Sequence, residues 1–174
     1  MKFLFPLLIF FFIQTGGSVY GQDIFDAVRK GDLTKIDELV KLNPDTVNAR
    51  NSSGFTPLII AAYRNQVEAV KFLLDHKADV NASSPEGPVI LGVCYKGDRD
   101  LAALLIAKGA DVNAQNSNGT TALIYATLAN TPELVELLLK HGAKKELAEK
   151  SGRTALSIAQ ANNSQAIVAL LQGP

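Results

Sequence analysis

Apolar side chains recur along this chain on two periods at once. Val67, Val70, Leu73 and Leu74 fall at helical spacing and predict a helix with one apolar stripe that ends near His76. Ahead of it Thr56 stands where an N-cap belongs, and Pro57 at the first helical position, where a fixed φ and a missing N–H do no harm. A short helix is therefore predicted from Leu58 to about Tyr63. Arg64, Asn65 and Gln66 separate the two helices, and Asp79 to Ala82 with the polar run Ser83 to Gly87 predict an extended turn to the next unit. The same plan returns at Gly54, Gly87, Gly119 and Gly152, spaced by 33, 32 and 33 residues. A unit of this size cannot bury its apolar face alone, so the units must stack.

The fourth unit shows its caps openly. Thr131 and Pro132 open its second helix, Glu133 and Glu136 suit the positive end, Lys140 and His141 the negative end, and Gly142 can take the left-handed conformation that ends a helix. A degenerate first unit runs from Ile24 to Asn48, its second helix carrying Leu33, Ile36, Leu39 and Val40 inward and Lys35, Asp37, Glu38 and Lys41 outward. The last runs from Gly152 to Leu171 with polar Gln160, Asn162, Asn163 and Gln165. Polar outer sides are what the two ends of a stack require, so five units are expected to form one domain.

Gly54-Phe55-Thr56-Pro57-Leu58, Ala61-Ala62, Leu73-Leu74 and Ala78-Asp79-Val80-Asn81-Ala82 resemble the ankyrin repeat, and Ala110-Asp111-Val112-Asn113-Ala114 with Thr121-Ala122-Leu123 extends the likeness. The resemblance implies an all-α solenoid of about five helix-turn-helix repeats with β-turn fingers, at residues 23–48, 49–81, 82–113, 114–146 and 147–172. Where the family usually has an inter-repeat histidine, this chain reads Ile59, Leu91, Ile124 and Ser157, so apolar contact is expected to replace that polar link. The third repeat lacks the threonine cap and is one residue short, which predicts a late or irregular start of its first helix. The resemblance also implies a concave protein-binding face. Carried over position by position, that face comprises Arg50, Phe55, Tyr63, Arg64, Tyr95, Lys96, Gln115, Thr120, Leu128, Lys150 and Arg153, with Glu86 and Asn118 beside them. Tyr63-Arg64 and Tyr95-Lys96 pair an aromatic ring with a cation at the ends of neighbouring helices, and such residues anchor interfaces. They equally suit a cover over the joint between helices, with the hydroxyls in water.

Met1-Lys2, the apolar run Phe3 to Ile13 and the small-residue tail to Gly21 read as a secretory signal peptide cut before Gln22. Eleven apolar residues including Pro6 fall short of the roughly 20 that a spanning helix needs. The expectation is a periplasmic or secreted protein, residues 22–174, that does not insert in a membrane and works as a monomer. Similarity to exported bacterial ankyrin proteins implies a helper of an exported enzyme, an inhibitor of a toxin or a factor acting on a host. Cleavage takes Lys2 from the 17 basic residues and nothing from the 17 acidic ones, a net charge of −1. So balanced a chain gives no support to nucleic-acid binding.

Candidate chemistry is sparse. Cys94, the one cysteine, takes the place of Ala62 in its repeat and reads as a small buried filler rather than a nucleophile, no histidine lying near it. His76 and His141 occupy the same helix end two repeats apart, about 20 Å at roughly 10 Å per step, too far for one metal. Asp79 and Asp111 match a turn position rather than a carboxylate pair. Four tripeptides fit the glycosylation acceptor, at Asn51, Asn81, Asn118 and Asn162, as turns rich in Asn and Ser produce by chance. The sequence thus predicts a non-enzymatic protein that binds another protein and needs no cofactor or metal. The rival readings are a small hydrolase or redox protein using Cys94, and a structural envelope protein with no specific partner.

Overall fold

The computed structural model describes residues 19–173, and side chains from residue 23. The predicted signal segment lies outside the described residues except for its last three, Val19 to Gly21, which begin a helix. Helices come in pairs: α1 (Val19–Lys30) with α2 (Leu33–Leu42), α3 (Pro57–Tyr63) with α4 (Val67–Asp75), and α5 (Val89–Tyr95) with α6 (Arg99–Ala107). The pairs α7 (Ala122–Leu128) with α8 (Pro132–Lys140) and α9 (Ala155–Ala161) with α10 (Gln165–Gln172) complete the stack. Within each pair the chain turns through one left-handed residue, Gly31, Asn65, Gly97, Asn130 or Asn163, so the polar breaks read from the sequence are these turns. First helices pack side by side from α1 to α9, and second helices form the outer layer. The apolar stripes meet in one continuous core, from Ile24 to Leu171. This is the all-α solenoid that the resemblance implied.

Helix starts follow the sequence at three of the four later repeats. Thr56, Thr121 and Thr154 each cap a first helix, their hydroxyls accepting the N–H of the residue three on. The third repeat departs from expectation. Its first helix has no side-chain cap, yet α5 begins at Val89, two residues after Gly87 where its counterparts begin three after their glycines, and it is as long as they are. The missing residue comes out of the finger, which closes into two short strands, β1 (Ser83–Ser84) and β2 (Gly87–Pro88), paired antiparallel. Asn51 and Asn116 tie their fingers by accepting two backbone N–H groups each, whereas Ser84, with a shorter side chain, accepts one from Glu86. Gly87 at φ +119° sits so close to Asn116 that an added Cβ would lie 2.9 Å from its Cβ. Thr131 precedes α8 as predicted but does not cap it; its hydroxyl donates to the Ala126 carbonyl.

Two inter-repeat devices hold the stack. Ile59, Leu91 and Ile124 are buried as expected, while Ser157 instead completes a reciprocal cap with Thr154. Polar linkage is not lost, however: it moves to Asn48, Asn81 and Asn113. Each amide donates to a carbonyl at the end of the next second helix, of Lys77, Gly109 and Gly142, and accepts the N–H of Asp79, Asp111 and Lys144. Six backbone groups that no helix could satisfy are thereby paired. Gly142 ends α8 at φ +83°, and His76 and His141 cap their helices, Nδ1 donating to the Phe72 and Leu137 carbonyls at 2.8 and 2.9 Å. Asp79 and Asp111 accept the N–H of Asn81 and Asn113, turn contacts and nothing more. On the outer side of the first repeat, Lys35 pairs with Glu38 and Lys41 with Asp37.

Candidate functional site

Comparing the first helices position by position shows where the stack opens. The fourth residue of these helices is Ile60 in α3, Gly92 in α5, Tyr125 in α7 and Ile158 in α9. Only the third repeat lacks a side chain there, so a cleft of about 440 Å³ opens between the second and fourth repeats, with Leu91 and Gly92 as its floor. Tyr63 and Tyr125 wall it, Tyr95 stands at its lower edge, and the fingertips at Pro85-Glu86 and Asn116 to Asn118 roof it. A volume of this order suits a small ligand or one large side chain of a protein.

The tyrosines do different things. Tyr63 is 39% exposed; its ring lies on Gly92 and edge-on to Phe55, 6.1 Å between centroids, and its hydroxyl donates to Glu86. Burial, then the hydrogen bond and charge of Glu86, push its phenol up to about 12. Lys96 crosses from the next repeat, donates to the Tyr63 carbonyl and places its ammonium 5.3 Å from the ring centroid. Tyr63 and Lys96 therefore fasten two repeats together, with the Tyr63 hydroxyl on Glu86 rather than in water and Lys96 bound rather than solvated. Tyr95 is 66% exposed, packs edge-on to Tyr125 at 5.5 Å and 81°, and its hydroxyl has no partner among the described residues. Asn116 donates to the Tyr125 hydroxyl at 3.2 Å and fixes that wall.

The remaining predicted face residues divide by partner. Arg50 is exposed but committed, donating at 2.7 Å to the carbonyls of Gly54 and Ser83, which ties one finger to the next. Arg153 is paired with Glu149 at 2.7 Å, and Gln115 donates to the Gly119 carbonyl within its own finger. Arg64 and Lys150 are exposed with no ion pair among the described residues, and Leu128 is a 39% exposed apolar spot on the same row as Tyr63 and Tyr95. Thr120 does not belong to the exposed set. It is 3% exposed because its hydroxyl turns sideways to donate to Glu149, bridging fingers at 3.0 Å. Burial opposes the charge of Glu149, but hydrogen bonds from Arg153, Thr120 and Ser151 outweigh it and hold the carboxyl below its usual range. Tyr125 and Gly92 were not among the predicted face residues. Their signal was there to find: a glycine and then a tyrosine where the second and fifth repeats have isoleucine.

The chain matches twice, over residues 24–114 and 89–173, the family profile described as ankyrin repeats (3 copies). It belongs to the ankyrin-repeat family. Its relatives include ankyrin repeat and SAM domain-containing protein 6 of Rattus norvegicus, 36% identical over 64% of this chain but only 13% of that protein. Ankyrin repeat domain-containing protein 49 of Drosophila melanogaster is 43% identical over 30% of this chain and 25% of the relative. Protein phosphatase 1 regulatory subunit 27 of Mus musculus is 30% identical over 54% of this chain and 62% of the relative. Ankyrin repeats generally mediate protein binding, and the family is generally non-enzymatic.

Within this ankyrin stack Cys94 is fully buried, and burial pushes its thiol up to about 12, leaving it protonated at neutral pH and out of reach of a substrate. A thiol reagent is expected to label the native chain far more slowly than the denatured one. Cys94 and Tyr63 are both acids whose folded pKa lies above the ordinary values of 9.0 and 10.0. The folded chain holds these protons to higher pH, so their contribution to stability is complete below about pH 9 and is lost as pH rises through about 12. Denaturant midpoints should fall across that window, and fall less in Cys94→Ala.

Proposed function

We propose that the protein is a non-enzymatic binding protein that acts outside the cytoplasm, in the periplasm or as a secreted monomer, and holds another protein on its concave face. The cleft over Gly92 carries this reading. It combines Tyr95, exposed and with a hydroxyl that has no partner among the described residues, with walls already fixed by hydrogen bonds, and preformed aromatic sites of this kind are where binding energy concentrates. The mouse relative is by its name a regulatory subunit of a phosphatase, a role that works through protein contact. The location rests on Met1-Lys2, the apolar run to Ile13 and the small residues after it. Among the described residues no helix is long and apolar enough to cross a membrane.

Affinity capture from the extracytoplasmic fraction of the source cells tests the reading. The parent chain should retain a partner that the variant carrying Tyr63→Ala, Arg64→Ala and Tyr95→Ala together loses by tenfold or more, about 1.4 kcal/mol. Equal recovery by both chains would remove the face from consideration.

A further inference from the structure

The lining of the cleft is one-sided in charge. Three tyrosine rings and the Glu86 carboxylate face it, and no lysine or arginine does. Seven carboxylates of the chain are paired with cations, at Asp26, Asp37, Glu38, Glu68, Asp75, Asp100 and Glu149. Glu86 has no such partner among the described residues; one oxygen accepts the Tyr63 hydroxyl and the other accepts nothing. Tyrosine faces attract cations through the ring quadrupole, and a carboxylate beside them adds a charge-assisted hydrogen bond. Tyr63 already holds an ammonium of the chain itself, Lys96, whereas Tyr95 and Tyr125 hold none among the described residues.

We propose that this cleft is the anchor pocket for a single arginine side chain of the partner protein, with the guanidinium on Tyr95 and Tyr125 and paired to Glu86. The proposal rests on the concave-face reading above and names the chemistry of what that face receives. Arginine fits better than lysine because its planar fork can pair with a carboxylate at two points and lie flat on an aromatic ring. The exposed Ser117 and Asn118 on the fingertip offer hydrogen bonds to the main chain around it. Arg64 and Lys96 flank the cleft on the ends of their helices, so a second cation next to the anchor would be repelled. The favoured segment is one arginine among neutral or acidic residues.

Immobilised full-length chain is challenged with three pools of random heptapeptides whose central residue is fixed as arginine, lysine or glutamine. The arginine pool should be retained about tenfold over the glutamine pool, the order of one cation–π contact made away from water, with lysine between them. Glu86→Gln, which keeps an acceptor for Tyr63, and Tyr95→Leu should each abolish the preference without changing the thermal midpoint. Equal retention of the arginine and glutamine pools overturns the proposal, as does a preference that survives both variants. Should the Tyr63, Arg64 and Tyr95 variant lose its captured partner while no arginine preference exists, the arginine pocket falls and concave-face binding stands.

Discussion

Leu138→Ala lowers the free energy of unfolding by on the order of 2 to 5 kcal/mol in urea denaturation, the range of leucine truncations that leave a cavity. Leu138 is fully buried in α8, which packs between α6 and α10, so the void opens between repeats where neither neighbour can collapse onto it without shifting. In a one-dimensional stack each repeat is supported by its neighbours alone, and a weakened joint is felt on both sides. The last repeat, with α9 and α10, should therefore lose protection from amide exchange along with α8. A loss within experimental error would mean that α8 presents another side to the stack.

Gly92→Leu acts in the opposite sense, sparing the fold and removing recognition. A Cβ at this position would meet Tyr63 at 3.3, 3.4 and 3.5 Å, so the ring that Glu86, Phe55 and Lys96 hold must give by a few tenths of an ångström. Replacing a glycine inside a helix favours the helix by about 1 kcal/mol, which offsets part of the cost of shifting that ring. The leucine side chain then occupies the floor of the cleft. Partner capture should fall about thirtyfold or more, the roughly 2 kcal/mol that marks a binding hot spot, while the circular dichroism stays that of the parent chain. Undiminished capture by a chain of unchanged circular dichroism would show that the partner sits elsewhere.

The architecture was legible in the sequence because periodicity, caps and turns all report on the same helices. Thr56 with Pro57, the stripe from Val67 to Leu74, and Gly142 after Lys140 each announce a boundary that the structure keeps. Side-chain direction in the fingers was less legible, since a turn residue can face solvent or the next finger. Thr120 turned inward to Glu149, and Arg50 spent its guanidinium on two carbonyls. The ladder of Asn48, Asn81 and Asn113 was visible as a recurrence at 33 and 32 residues, yet asparagine in a turn reads first as a turn former. The cleft was hardest of all, because its cause is a missing side chain. Gly92 acquires meaning only when the Tyr63 ring is seen to lie on it and Tyr125, from the repeat on its other side, to line the same cleft.

Recognition on the finger side of the stack, at the cleft over Gly92, is tested most directly by photo-crosslinking. A benzophenone amino acid placed at position 128, next to Tyr95 in the same row of helix ends, is compared with one at position 71, on the exposed side of α4, where Lys71 pairs with Glu68. The same partner should be captured covalently from position 128 and not from position 71. Adducts from position 71 with none from position 128 would contradict the account.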